Sequence, residues 1–184
     1  MIEREAHGLS GQQEHGRFAD FLHQSLNHNI ALADRKSSIV FTLATAVIVF
    51  ALQHDEAAIR GQLGLLTQAA WSGVLLALLV SAASAFAVVF PRIHRQRNGF
   101  LFWSSVARHP TAAHYAGAVA GQTPAALDAA KFEHCYALAR ICDAKYRLLQ
   151  LAMIMAAVGL GGFVAASAVA AFAQGTHIIR LAVA

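Results

Sequence analysis

The sequence predicts an all-α membrane protein with three transmembrane helices, the first and third of which continue into a cytoplasmic helical domain. Three observations carry that prediction. The chain is 184 residues long, 57% hydrophobic and only 13% charged, well outside the composition of an ordinary soluble domain. The apolar excess is concentrated in three stretches without charged residues, 37–53, 71–90 and 148–173, each close to the ~17–25 residues that cross a hydrocarbon core as a helix. Twelve of the 14 Lys and Arg residues fall in the segments 1–36 and 91–147, leaving only Arg60 and Arg180 elsewhere.

Residues 1–36 read as a cytoplasmic amphipathic helix, because Phe18, Leu22, Leu26, Ile30 and Ala33 recur at steps of three or four. No proline separates this run from the first span, 37–53, so one continuous helix is expected, with Gly16 its weakest point. The span begins too far along the chain to be the apolar core of a signal peptide and reads as a retained anchor. Residues 54–70 form an external loop. The second span, 71–90, opens on Trp71 at the outer interface and stops at Pro91.

The cytoplasmic region 91–147 starts with a basic and then aromatic run containing Phe100, Leu101, Phe102 and Trp103, the pattern of a stop-transfer flank followed by an interfacial segment. Residues 107–122 form a loop or short helix. Thr123 followed by Pro124 marks a helix start. Beyond it Phe132, Cys135, Ala139, Cys142, Tyr146, Leu149 and Met153 form a heptad seam leading into the third span, 148–173. Residues 174–184 are an external tail. Under the positive-inside rule the N-terminus lies in the cytoplasm and the C-terminus outside.

The net charge of +4 is accounted for by topology and by attraction to anionic headgroups, so no nucleic acid is expected. Cys135 and Cys142 fall in the cytoplasmic region, where thiols stay reduced, and no disulfide is expected. The chemistry of an enzyme or a metal site is not legible either. His23 and His28 are five apart, as are His109 and His114, a spacing that on a helix puts side chains on different faces. The adjacent donors Glu133, His134 and Cys135 would point in three directions on a helix. No phosphate-loop, dinucleotide or nucleophile-elbow motif occurs. Gly159, Gly161 and Gly162 sit inside the third span and suit close helix packing or an oligomer contact.

One feature asks for more than topology. Asp34-Arg35-Lys36 and Asp143-Ala144-Lys145 each place an aspartate, one residue and a lysine at the threshold of a span. With both spans entering from the same side, the triplets lie at one depth. Asp34 would then meet Lys145 or Arg147, and Asp143 would meet Lys36 or Arg35.

The succession Ala33, Asp34, Lys36, Ser37, Ser38, then Pro91, then Phe100, Phe102 and Trp103, then Lys145 and Tyr146 resembles the transmembrane effectors of Pycsar, a bacterial anti-phage defence system. The resemblance runs from about Asn27 to Ala173. It implies a multi-pass inner-membrane effector, not an enzyme. Such an effector responds to cyclic CMP or cyclic UMP from a partner cyclase and impairs the membrane, so that infection aborts. No other cofactor is implied. On this resemblance the ligand-binding candidates are Asp34, Lys36, Arg92, Arg140, Asp143, Lys145 and Tyr146. Arg and Lys would hold the cyclic phosphate, the aspartates the N–H groups of the base, and Tyr146 its face. Topology charge, interhelical ion pairing and seam packing are the plainer roles for the same residues.

The familiar β-barrel nucleotide domain is not encoded, since no run of alternating strands occurs. The helical inner part must then bind the nucleotide itself, between protomers, or sensing is indirect. Three spans are too few to enclose a pore, so a homo-oligomer is expected. The alternatives are a holin-like or toxin-like membrane protein acting without ligand, and a membrane scaffold recruiting a partner through its cytoplasmic coiled coil.

Overall fold

The computed structural model describes residues 2–54, 65–90 and 101–183. Five helices are described: α1 (Ile2–His54), α2 (Leu65–Val89), α3 (Trp103–Val106), α4 (Ala112–Ala120) and α5 (Pro124–Val183). No strand occurs among the described residues. Three helices contain stretches long and apolar enough to cross a membrane, within Glu14–Gln53, Gln68–Val89 and Pro124–Val169. The fold is therefore all-α with three candidate spans, and α1 and α5 are far longer than a bilayer requires. Pro91, Arg92, Arg95, Arg97, Phe100 and Arg60 lie outside the described residues.

The chain divides into two compact units. One comprises residues 1–32 and 91–145, the other residues 33–90 and 146–184. Both α1 and α5 are helical through the residues where one unit gives way to the other. In each helix a D-x-K triplet borders that division: Asp34 to Lys36 just after it, Asp143 to Lys145 just before it.

The apolar unit is turned inside out relative to a soluble domain. Phe41, Phe50, Leu76, Leu79, Phe86, Ile154 and Val158 are exposed, while Ala44, Ala51, Leu78, Ser81, Ala85, Val88, Ala152 and Ala156 are buried. That is the signature of a lipid-facing surface. Lipid tails are as apolar as leucine, so helices associate through small residues that let backbones approach. Gly159 and Gly162 show why they are small: a Cβ on Gly159 would lie 2.6 Å from Leu78 Cγ, and one on Gly162 2.7 Å from Val74 Cγ2. A Cβ on Gly161 would meet nothing within 4 Å.

The contacts fix the directions of the three helices in this unit. Val74, Leu78 and Ser81 of α2 meet Gly162, Gly159 and Ala152 of α5 in reverse order, so these two helices are antiparallel. Phe41 of α1 packs on Phe86 and Phe50 on Phe163, while Ala33, Val88 and Leu149 form one buried cluster. Residues of α1 and α5 thus rise together, as parallel helices.

Hydroxyl groups are satisfied locally. Ser38, Thr42, Thr45 and Ser72 each donate to the carbonyl four residues back, at 2.8–3.0 Å. This is how hydroxyls are accommodated in an apolar medium. Ser81 instead crosses between helices, donating to the Ala152 carbonyl at 2.8 Å.

In the other unit, Thr123 Oγ1 accepts from the Ala126 amide at 3.2 Å, giving α5 the N-cap that Thr-Pro encodes. Thr111 caps α4 in the same way, accepting from the His114 amide at 3.1 Å.

Four expectations are revised. The buried line of α1 runs through Ala19, Ala33, Ser37 and Ala44, whereas Phe18 is 56% exposed. The buried line of α5 runs through Cys135, Lys145, Leu149, Ala152 and Ala156, so Phe132, Tyr146 and Met153 of the expected seam are exposed. Alanines recur in both buried lines, and α5 buries Lys145 and Leu149 beside them. His109 and His114 meet, Nδ1 to Nδ1 at 3.0 Å, because His109 precedes the Thr111 cap and never shares a helix with His114. The helices also outrun the charge-free stretches, α2 starting at Leu65 and α5 continuing to Val183.

Candidate functional site

The residues expected from the sequence divide between the units. Arg140, Asp143 and Lys145 belong to the unit of residues 1–32 and 91–145, and Asp34, Lys36 and Tyr146 to the other. Arg92 lies outside the described residues. On α5, Arg140 and Asp143 are one turn apart and exposed, while Lys145 is 8% exposed. A buried ammonium requires compensation, and Lys145 takes part in interactions within the molecule, as do Asp34, Asp143, Tyr146 and Arg147.

A different group of side chains forms a cavity within the first unit. Its volume is about 290 Å³, and it is lined by Ala19, Asp20 and His23 of α1, Lys131, His134 and Cys135 of α5, and Leu101. His23 lies one turn beyond Ala19 and Asp20, and His134 and Cys135 one turn beyond Lys131, so each set spans an arc of about 100° of its helix, wide enough to line a groove. His134 and Cys135 thus flank a groove together instead of diverging. The two helices are in parallel register here: Asp20 pairs with Lys131 and His23 with His134, each pair 111 residues apart in sequence. Cys135 Sγ lies 3.5 Å from the Ala19 carbonyl oxygen, and the methyl group of Ala19 is too small to hold the helices further apart.

The chemistry of this wall is mixed. Lys131 Nζ donates to Asp20 Oδ1 at 3.1 Å, with both side chains partly open to solvent. The His23 and His134 rings are tilted against each other at 5.3 Å, and Phe102 meets His134 edge-on at 4.5 Å. His134 Nδ1 is buried with no hydrogen-bond partner among the described residues. His134 lies in the charged part of α5, before the charge-free stretch that begins at residue 148. Burial, and secondarily the neighbouring His23, hold its pKa below the ordinary histidine value. Burial likewise raises the Cys135 thiol, with Asp20 adding to it and Lys131 opposing. Among the described residues no group of three or more His, Cys, Asp or Glu could hold a metal ion.

None of these lining residues belongs to the set expected from the sequence. A signal was present in Asp20-x-x-His23 and Lys131-x-x-His134, two turn-spaced pairs with complementary charge in long helices.

A family profile described as the Pycsar effector protein domain matches residues 18–173. No curated protein and no solved structure matches the chain. The match begins beside Ala19 and Asp20, runs through all three apolar helices and covers both units. The chain therefore belongs to the Pycsar effector family, membrane effectors of anti-phage defence that act with a partner cyclase.

Proposed function

We propose that this protein is a ligand-gated effector of the inner membrane. A partner cyclase makes cyclic CMP or cyclic UMP on infection, and the effector responds by breaching the bilayer, so that the cell dies before phage mature. The observation that carries the reading is the family match across a chain whose α1 and α5 each belong to a charged unit and to an apolar one. A signal received by the first unit has two unbroken helices through which to reach the second.

The concentration of Lys and Arg in residues 1–36 and 91–147 supports placing the charged unit in the cytoplasm. The cyclase product is made on that side. The damaging species is a homo-oligomer, for which the exposed face at Gly161 offers a close-packing surface. Of the residues expected from the sequence, Lys36, Arg92, Arg140 and Lys145 contribute cationic attraction for the cyclic phosphate, and with Asp34, Asp143 and Tyr146 they couple it to the spans. The D-x-K triplets suit coupling because they border the division between the units in both helices. A ligand can shift such an equilibrium only through its differential affinity for two states, about 5.5 kcal/mol for a swing from 1:99 to 99:1.

The test is membrane potential in cells expressing the protein, with and without cyclic CMP or cyclic UMP. Depolarisation only with a nucleotide is expected. Depolarisation without it assigns a ligand-independent toxin, and none under any condition assigns a scaffold. Lys36→Ala and Lys145→Ala are expected to insert normally and to lose the response.

A further inference from the structure

We propose that the cavity between α1 and α5 in the charged unit is the nucleotide site, and that the ligand takes over the Asp20–Lys131 ion pair. The pyrimidine identity of the ligand rests on the functional reading above; the site and the ligand's general chemistry rest on the cavity.

A volume of about 290 Å³ lies at the lower edge of the ~300–1,000 Å³ typical of small-molecule sites. The occupant is therefore compact. The lining selects its chemistry through three features. Lys131 can hold an anion, and its present partner, Asp20 at 3.1 Å, is a side chain 64% exposed. An ion pair this open to water contributes little and is readily exchanged. Once Lys131 turns to an anionic ligand, the Asp20 carboxylate becomes an acceptor for N–H groups. The rings of His23 and His134, inclined at 35° to each other with Phe102 edge-on to His134, give the cavity an aromatic wall against which one face of a planar heterocycle can rest. His134 Nδ1 is closed off from solvent and has no partner among the described residues, so a ligand that parts the two helices would reach and satisfy it.

A compact monoanion carrying a planar ring with N–H donors meets all three, and a cyclic pyrimidine mononucleotide is such a molecule. A metal ion does not fit, for lack of ligands among the described residues. The place of the site also gives it leverage. Its two walls are different helices, held together by Ala19 and Cys135, so an occupant's affinity depends on their separation. Those same helices continue into the apolar unit.

The experiment measures equilibrium binding of radiolabelled cyclic CMP and cyclic UMP to the full chain in nanodiscs, with membrane potential in cells as a separate readout. Cytidine and inorganic phosphate serve as competitors. The wild type is expected to bind one nucleotide, with the nucleoside and phosphate each competing weakly. Lys131→Ala is expected to lower affinity at least tenfold and Lys131→Arg to restore most of it. Asp20→Asn is expected to change the ratio of cyclic CMP to cyclic UMP affinity.

The double variant Asp20→Lys with Lys131→Asp separates binding from folding. It keeps an ion pair between the helices and retains the wild-type melting temperature, yet loses nucleotide. Wild-type affinity in the double variant and in Lys131→Ala overturns the site, as does absence of binding by the wild type. Binding without depolarisation leaves the site standing and removes the gating reading instead.

Discussion

Gly159→Ala tests whether α2 and α5 are joined by backbone proximity. The new Cβ would lie 2.6 Å from Leu78 Cγ, 2.7 Å from its Cδ2 and 3.3 Å from its backbone nitrogen. Leu78 is fully buried, so its side chain has no free volume into which to swing. Overpacking of this kind costs about 1–3 kcal/mol. Against it stands the helical preference of Ala over Gly, about 0.5–1 kcal/mol. The net expectation is destabilisation by about 1–2 kcal/mol. Gly161→Ala is the matched control for the chain dispersed as monomers, because its Cβ meets nothing within 4 Å inside the chain and only the favourable propensity term then applies. The two variants should differ by about 1–3 kcal/mol, the overpacking term alone, on the order of 5- to 150-fold in the unfolding equilibrium. Gly162→Ala should fall between them, since its close contact is with the tip of Val74 alone. Unfolding of the solubilised chain in mixed detergent micelles, followed by circular dichroism, provides the ranking. A Gly159→Ala variant as stable as Gly161→Ala would refute the packing described for α2 and α5.

Three further outcomes are expected. Ser81→Ala removes the 2.8 Å bond to the Ala152 carbonyl and should cost about 0.5–1 kcal/mol in the same assay, since that carbonyl also lies within α5. Thr123→Ala removes the cap on Ala126 and should cost about 1 kcal/mol, seen as faster amide exchange confined to the first turn of α5. The charged unit should lose stability on acidification. His134 has its pKa held below the ordinary 6.5, first by burial and then by His23, so the unfolded chain binds the proton more readily. Stability is full above that value and falls as pH drops below it toward the folded-state pKa. Asp20 and His23 of α1 and Lys131 of α5 share this cavity. Amide protection in the charged unit between pH 8 and 5 reads the effect, and His134→Phe should reduce its slope.

The division between what was legible in the sequence and what was not follows from the range of each interaction. The three spans rest on charge-free runs, and the start of α5 on Thr123-Pro124; both are local signals, and the structure contains both. The faces were misread where a rule from water was carried into lipid. A heptad of large residues marks a seam only if burying them is favourable, and beside lipid Met153 gains nothing from burial that Ala152 does not gain from close approach. The cavity was hidden for a different reason. Each of its walls is an ordinary polar turn, and only pairing across 111 residues brings Asp20 to Lys131.

That distance also explains why the two D-x-K triplets drew the eye while Asp20-x-x-His23 and Lys131-x-x-His134 did not. The triplets repeat one pattern, and repetition is visible in one dimension. Complementarity becomes visible only once two helices lie side by side. A site that must sense the spacing of two helices has to be assembled from both, so its residues are complementary across the groove and need not resemble each other along the chain.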